Sequence, residues 1–316
     1  MLGAVIGAGA WAAITAGAGG RPESSRIPAD GPSQTGSSRI GRGGGTDHAD
    51  SLDMNSAAEV DVTLSAQEHS WLSEGRRKLR LTARLLVRIL PFVERLNRTF
   101  SKVPNVAVFD NTAFPWVPGI EREWRTIRAE LDRVLLRKDE LPGFQDILPD
   151  VASVTRDRGW KSFMFTGMGI KSNRSIGLCP ETWRILQEIP GLSTAMFSIF
   201  EPGKQLRPHR GPYNGVLRLH LGLVVPDTSD DVAIRVGSQV CHWEEGAVLI
   251  FDDSYEHEAW NKSDRIRVVL FVDFVRPLKF PANIVNSLLL KFAALSLFVR
   301  EGQDNQRRWE LDFYGN

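Results

Sequence analysis

Short apolar segments separated by turns dominate the second half of the chain, and this pattern constrains the fold more than any other feature. Seven segments are rich in β-branched and aromatic residues or alternate like strands, with Gly, Pro, Asp and Ser between most of them. They are Trp160–Phe165, Ala195–Phe200, Val216–Val225, Val232–Val236, Val240–Trp243, Ala247–Phe251 and Ile266–Val275. Strands this short and closely spaced predict a β-sandwich or a jelly roll.

Helical segments flank the predicted strands. The region Phe109–Leu136 and the segment Pro180–Ile189 are predicted to be helical, because their apolar residues recur at helical spacing and Pro190 ends the second one. The run IVNSLLLKFAALSLFV, which follows Pro277, also predicts a helix. Polar residues interrupt it, so we expect it to cover the domain rather than to span a membrane, with peripheral insertion as an alternative.

A basic amphipathic stretch, Trp71–Phe100, precedes these elements. Apolar residues recur in it at helical spacing, with arginines and lysine between them, and Pro91 is expected to kink or end the helix. One interpretation is a helix that lies on an anionic membrane surface, and the other is a solvated basic face of a helix packed on the domain.

Composition narrows the class of protein. The 316 residues are 42% hydrophobic and 24% charged, which is ordinary for a globular protein, and the net charge of +1 argues against nucleic acid as a partner. Two distant cysteines form neither a zinc pattern nor a disulfide framework, so a cytoplasmic location is expected. The first 20 residues are rich in Ala and Gly and lack the basic region of a signal peptide, so they are either an extension or a signal or anchor segment.

Three histidines, each with an arginine nearby, lie within or beside the predicted strands. They are His209, His220 and His257, with Arg210, Arg218 and Arg267. Histidine is the commonest metal ligand, and arginine is the best side chain for clamping a carboxylate. A β-scaffold that carries both indicates a metal enzyme that holds an acidic cosubstrate.

Strand periodicity places Arg218 and His220 on one face of their strand. Burial of these two side chains is costly unless an anion meets them. A bound dicarboxylate would satisfy them, and so would a buried Asp or Glu. Arg267 lies in a segment that is apolar on both sides, which disfavours a surface position for it.

One expected metal ligand is missing. The usual two-histidine, one-carboxylate site has Asp or Glu two positions after the first histidine, where this chain has Gly211. Either the metal lacks a protein carboxylate or one arrives from elsewhere. Asp252 and Asp253 are candidates, but Asp-Asp-Ser after a strand is more typical of a turn.

The residues from about Phe197 to Pro277 resemble a known family. They include FSIFEPGKQLRPHRGPYNGVLRLHLGLVVP and WEEGAVLIFDDSYEHEAWN, and they are similar to the aspartyl/asparaginyl β-hydroxylases, a family of Fe(II)/2-oxoglutarate dioxygenases that includes bacterial lipid hydroxylases. The resemblance continues more weakly back to about Val103. It implies a mainly β fold, a double-stranded β-helix (jelly roll) with flanking α-helices, and a hydroxylase that uses Fe(II), 2-oxoglutarate and O2.

The resemblance also assigns roles to residues. Its two iron ligands fall on His209 and His257, and its absent carboxylate falls on Gly211. Arg267 and Ser198 match the residues that meet the distal carboxylate of 2-oxoglutarate, and Arg218 and His220 match further contacts to it. The expected catalytic residues are therefore His209, His257 and Arg267.

One position departs from the aspartyl-acting members. They place a second arginine, which grips the substrate carboxylate, where this chain has Val216. Val216 and the basic helix favour a lipid acyl chain at the cytoplasmic membrane face, whereas Gly211 and the match in DDSYEHEAWN favour an aspartyl or asparaginyl substrate. A non-catalytic jelly-roll binding module is a third alternative, and the joint presence of His209, His257 and Arg267 counts against it.

The expected organisation has four parts. Residues 1–60 form a disordered low-complexity tail, 61–102 a basic amphipathic helical segment, 103–279 the jelly-roll dioxygenase domain with its N-terminal helices, and 280–316 a C-terminal helical extension. The expected partners are 2-oxoglutarate, O2 and an aminoacyl or lipid substrate, with peripheral membrane contact as an open alternative.

Overall fold

Two antiparallel sheets form the centre of the protein. The structure is a computed structural model that describes residues 88–148, 154–155, 157–167, 170–226, 230–294 and 297–314. The predicted tail, 1–60, and residues 61–87 of the predicted basic segment lie outside the described residues. The boundaries of the four expected parts stay predictions.

Ten strands build the two sheets. They are β1 (Trp160–Gly167), β2 (Ile170–Lys171), β3 (Leu192–Phe200), β4 (Gln205–His209), β5 (Val216–Val224), β6 (Val232–Val236), β7 (Gln239–Cys241), β8 (Val248–Phe251), β9 (His257–Asn261) and β10 (Arg267–Val275). One sheet has the order β2-β1-β3-β10-β5-β8 and the other β4-β9-β6-β7. This arrangement confirms the predicted mainly β, jelly-roll fold with flanking helices.

Helices pack on the outer side of the larger sheet, and helices also form the first and the last described elements of the chain. They are α1 (88–99), α2 (Val117–Arg122), α3 (Trp124–Leu135), α4 (Phe144–Ile147), α5 (Asn173–Leu178), α6 (Pro180–Leu186), α7 (Ala282–Ala294) and α8 (Leu297–Tyr314). Among the described residues, no helix has the length and apolar character needed to span a bilayer.

The larger sheet is buried on both faces, which explains why its strands are nearly continuous apolar runs. One face packs against the helices, where Phe197 and Leu270 join Ile127 and Ile185 in one cluster. The opposite face packs against the smaller sheet, where a second cluster contains Met164, Met196, Phe271, Ile234 and Val236. The predicted functional residues lie in the space between the two sheets, where this second cluster is located.

The structure differs from the predicted elements in two places that matter for the site. Strands β4 and β9 were not predicted, because Pro208 interrupts the first and the second is a short segment whose residues are mostly polar. Both belong to the smaller sheet, and β4 lies at its edge, where proline and charge are tolerated.

Helix α1 continues through Pro91 instead of ending there, since Leu90 and Val93 on either side of it are held in a buried cluster.

Candidate functional site

Two histidines face each other on neighbouring strands. His209 ends β4, His257 begins β9, and the two residues are directly opposite in the antiparallel register. Their ring centroids are 4.2 Å apart with an angle of 51° between the rings. The strand pairing therefore brings together two residues that are 48 positions apart in the sequence.

Backbone carbonyls fix the tautomer of both rings. The Nδ1 atom of His209 is 2.7 Å from the carbonyl oxygen of Arg207, and that of His257 is 2.9 Å from the carbonyl oxygen of Tyr255. A carbonyl only accepts, so each Nδ1 carries the proton and each Nε2 keeps its lone pair. Burial lowers the pKa of His209 to about 4 and the pKa of His257 well below its usual range. Both rings are neutral at pH 7, which is the form that ligates a metal.

The chain has no room for a carboxylate two positions after His209. A Cβ atom on Gly211 would lie 2.3 Å from Oδ2 of Asp253, and the Gly211 amide donates to the Asp253 carbonyl at 2.7 Å. Among the described residues no third His, Cys, Asp or Glu joins the two histidines in a metal-binding group. Asp252 and Asp253 form the expected turn, since Oδ1 of Asp252 accepts from the Ser254 amide at 3.0 Å.

Arg267 is a buried cation between two aromatic rings. Its guanidinium carbon is 3.6 Å from the centroid of Phe200 and 4.5 Å from that of Trp243. Its Nη1 donates a long hydrogen bond, 3.4 Å, to the Ser198 carbonyl, while Nε lacks any partner in the described structure. No described carboxylate pairs with it, and burial alone lowers its pKa to about 9. A buried guanidinium of this kind is costly to keep charged unless an anion meets it.

His220 presents a second unsatisfied donor to the same space. Its Nδ1 accepts from Nε1 of Trp243 at 3.2 Å, so its proton is on Nε2, which is buried and has no partner within the described part of the chain. Burial, followed by the charges of Arg267 and Arg218, lowers the pKa of His220 well below its usual range. Trp243 contacts both His220 and Arg267, which places the two orphan donors in one compartment.

Ser198 lies beside Arg267. Strand β3 pairs with β10 so that Ser198 is opposite Val269 and Phe200 is opposite Arg267, which puts both pairs on the inner face. The Ser198 hydroxyl accepts from Nε1 of Trp160 at 3.0 Å. Sequence reasoning missed Trp160, which contacts Ser198, and Trp243, which contacts Arg267. Their positions at the ends of predicted strands were the available signal.

Arg218 has carboxylate partners within the protein. Its Nε donates to Oδ1 of Asp273 at 2.8 Å, and its Nη2 lies 3.2 Å from Oδ2 of Asp273 and 3.0 Å from Oδ2 of Asp253. Burial disfavours the charge, but Asp273 and then Asp253 outweigh it and raise the pKa of Arg218. Of the two alternatives left open by the sequence, the structure shows buried aspartates at Arg218; a contact of Arg218 with a cosubstrate stays a prediction.

A small cavity opens beside this group. It has a volume of about 40 Å³ and is lined by Ser193, Thr194, Pro212, Tyr213, Val216, Arg218, Asp253, Asp273 and Leu290. Among these described lining residues, Arg218 is the only cation, and Asp253 and Asp273 already hold it. The cavity thus offers apolar and anionic surface.

Comparison with known proteins agrees with this geometry. The family profile described as Aspartyl/Asparaginyl beta-hydroxylase matches residues 121–277. The Ornithine lipid ester-linked acyl 2-hydroxylase of Rhizobium tropici is 57% identical over 231 residues, which are 73% of this chain and 82% of the relative. The human Aspartyl/asparaginyl beta-hydroxylase is 34% identical over 166 residues, which are 51% of this chain but 21% of the human protein.

Among solved structures, a prolyl-4-hydroxylase of Pseudomonas putida matches with a TM-score of 0.33 and 16% identity over 51% of this chain and 98% of that chain. The jelly-roll assignment comes from the two antiparallel sheets themselves. Because the chain matches most of the length of the Rhizobium tropici hydroxylase, and because the family profile matches the region that holds the site, this chain belongs to the aspartyl/asparaginyl β-hydroxylase family of hydroxylating enzymes.

Proposed function

We propose that the chain is an Fe(II)- and 2-oxoglutarate-dependent dioxygenase that hydroxylates an acyl chain of an ornithine-type lipid at the cytoplasmic face of a membrane. The observation that carries the cofactor assignment is the pair of orphan donors, Arg267 and His220, buried in the same layer as two neutral histidines. Buried donors without partners are uncommon in protein interiors, and a bound anionic ligand would satisfy both of these.

The donor set fits both groups. Nε2 of His209 and Nε2 of His257 would hold the iron, since their Nδ1 atoms are occupied. Arg267, with Ser198 beside it, would take the distal carboxylate of 2-oxoglutarate, and the Nε2 proton of His220 would donate to a cosubstrate oxygen. Bound iron would supply activation of dioxygen for the hydroxylation of an aliphatic carbon, with 2-oxoglutarate decarboxylated to succinate.

The chain's own residues prepare this chemistry. The aromatic rings of Phe200 and Trp243 exclude water from Arg267, which strengthens its attraction for a carboxylate. The carbonyls of Arg207 and Tyr255 hold the two imidazoles in the ligating tautomer before any metal arrives. Gly211 leaves the place of a third protein ligand open, so more of the metal's coordination positions remain for the cosubstrate and dioxygen.

The cavity favours a lipid over an aspartyl side chain. An aspartyl substrate needs a free cation to grip its carboxylate, but Val216 is apolar and the described lining offers only Arg218, which is paired with Asp253 and Asp273. A cationic headgroup and an apolar chain suit these surfaces better. The Rhizobium tropici relative, whose name gives an ornithine lipid acyl chain as its substrate, supports this choice.

The second candidate is hydroxylation of an aspartyl or asparaginyl residue. The human relative and the absence of a third protein ligand at Gly211 favour it. A non-catalytic binding module would have no use for two facing, neutral histidines in the same layer as an orphan arginine, which counts against that alternative.

The test is turnover of the purified chain with Fe(II), 2-oxoglutarate and O2. It is offered either an ornithine lipid or an Asp- and Asn-containing peptide, and succinate and a one-oxygen mass gain are measured. We expect both products with the lipid. Hydroxylation of the peptide alone would transfer the assignment to the second candidate. Succinate formation that does not require iron, with either substrate, would overturn the cofactor assignment.

A further inference from the structure

Helix α7 exposes an apolar stripe. Ile284, Leu288 and Phe292 recur at every fourth position and therefore lie on one face, and Leu288 and Phe292 have 62% and 56% of their surface exposed. Phe280, just before the helix, is also exposed. A helix that only covers a domain buries its apolar face and leaves a polar one outside. This helix has apolar residues on both sides.

Helix α1, which packs beside α7, also exposes apolar side chains. Its residues Leu90 and Val93 are buried in one cluster with Leu289 and Ala293 of α7, so the two helices pack together. Its outer side exposes Ile89 and Phe92, the latter to 68%. We call the exposed apolar side chains of the two helices, together with Phe280, the α1/α7 surface: Ile89, Phe92, Phe280, Ile284, Leu288 and Phe292. Six large apolar residues on one helix pair and directly beside it exceed the scattered exposure that is normal for a soluble surface.

Cations accompany the α1/α7 surface. The exposed charged residues of the two helices and of Lys279 before α7 are all basic: Arg88, Arg95, Arg98, Lys279 and Lys291. The one carboxylate in these segments, Glu94, is partly buried, and burial raises its pKa. Apolar side chains with lysines and arginines at their margin are the combination that binds an anionic bilayer interface.

The same helices reach the cavity of the candidate site. The Tyr213 hydroxyl donates to Asn286 of α7 at 2.7 Å and accepts from Asn97 of α1 at 2.9 Å. Tyr213 and Leu290 of α7 also line the cavity beside Val216 and Arg218. Whatever binds the helix pair is therefore close to the cavity proposed for the substrate.

We propose that the α1/α7 surface docks the protein onto an anionic lipid bilayer and brings the cavity to the interface. The purpose of this docking rests on the proposed lipid substrate, but the docking itself does not require turnover. Ile284, Leu288 and Phe292 enter the headgroup and acyl boundary, and the basic residues face anionic headgroups. The surface is thus a membrane contact of peripheral type.

The test is co-sedimentation of the full chain with vesicles of phosphatidylcholine that do or do not contain phosphatidylglycerol. We expect binding to the anionic vesicles and its weakening by salt. The double variant Leu288→Gln/Phe292→Gln keeps good helix-forming residues at exposed positions, and we expect it to lower the partition coefficient at least about tenfold. The matched control is Leu136→Gln/Leu178→Gln, which removes two exposed leucines elsewhere and leaves binding unchanged.

The readouts separate this inference from the proposed function. Equal sedimentation of the wild type and the Leu288→Gln/Phe292→Gln variant would overturn the docking surface, even if the enzyme still makes succinate. Vesicle binding without iron-dependent succinate formation would overturn the function and leave the docking intact. Concentration-dependent dimers that the variant abolishes, together with no vesicle binding, would mean that a second copy covers the surface and would refute the lipid contact.

Discussion

The guanidinium carbon of Arg267 lies 3.6 Å from the centroid of the Phe200 ring, and the side chain is 1% exposed. A second buried arginine, Arg276, shows the contrast: its Nη1 donates to Oδ2 of Asp252 at 2.7 Å. Within the described structure, Arg276 therefore has a carboxylate and Arg267 has none. Arg276 is neutralised within the fold, whereas Arg267 is buried at a cost to the fold, which supports the proposed role of Arg267 as a ligand-binding group.

The two arginines predict opposite results when each is replaced by leucine. Arg267→Leu removes a buried charge without a carboxylate, so the urea midpoint without 2-oxoglutarate should stay equal or rise. Its KM for 2-oxoglutarate should rise about ten- to hundredfold, the value of a charge-assisted hydrogen bond. Arg276→Leu leaves Asp252 buried and unpaired, and should lower the free energy of unfolding by about 3–5 kcal/mol. Equal destabilisation by both changes would contradict the distinction.

The two facing histidines predict loss of metal binding without loss of the fold. His209→Ala and His257→Ala each remove an Nε2 donor, so iron-dependent decarboxylation of 2-oxoglutarate should fall to background. The exposed His242, whose Nε2 lies 3.2 Å from Asp230, provides the control, and His242→Ala should keep full activity. Calorimetric titration with Mn(II), a redox-stable substitute, measures the binding directly. Undiminished Mn(II) affinity in both variants would exclude the pair as ligands.

The sequence predicted the sheet architecture because each inner strand carries its own pattern of apolar residues. It did not predict β4 and β9, whose pairing brings His209 opposite His257. These strands are recognisable only from their pairing with neighbouring strands, since Pro208 in β4 and the short polar sequence of β9 are local signals against a buried strand. The partner of Arg218 was missed for a similar reason: Asp273 is its cross-strand neighbour in the register of β5 and β10. The periodicity of a single strand does not reveal which residues of distant strands will lie opposite each other.

We expect that replacing Gly211 with aspartate will not create a third protein ligand for the metal. In Gly211→Asp, the new Cβ would lie 2.3 Å from Oδ2 of Asp253, so Asp253 must move away from Arg218. We expect a loss of about 1–3 kcal/mol in the free energy of unfolding, typical of overpacking, and no gain in metal affinity. Gly177→Ala is the control, because nothing lies within 4 Å of its Cβ position and a helical alanine is favourable. A Gly211→Asp variant of wild-type stability would show that the space exists.

We expect the side chain at position 216 to determine which substrate the cavity accepts. Val216→Arg places a cation among Tyr213, Leu290 and the paired Arg218, in a cavity of about 40 Å³. Lipid hydroxylation should fall at least about tenfold from the burial of charge against an apolar chain, whereas substrate-free decarboxylation of 2-oxoglutarate should persist. Val216→Thr, which is nearly the same size and uncharged, should keep most of the lipid activity. Lipid turnover by Val216→Arg equal to that of Val216→Thr would remove Val216 from the substrate path.

The buried histidines predict that the metal-free protein is sensitive to acid. Burial lowers the pKa of His257 and of His220 well below the usual value of about 6.5, so the unfolded chain binds protons between that value and the folded pKa while the folded chain does not. Stability must therefore fall as the pH drops below about 6.5, by up to about 1.4 kcal/mol per pH unit for each histidine. Urea unfolding at about pH 7 and about pH 5 measures the loss, and His257→Ala should reduce it whereas His242→Ala should not. If His257→Ala loses as much stability as the wild type over this interval, His257 is not held neutral by burial.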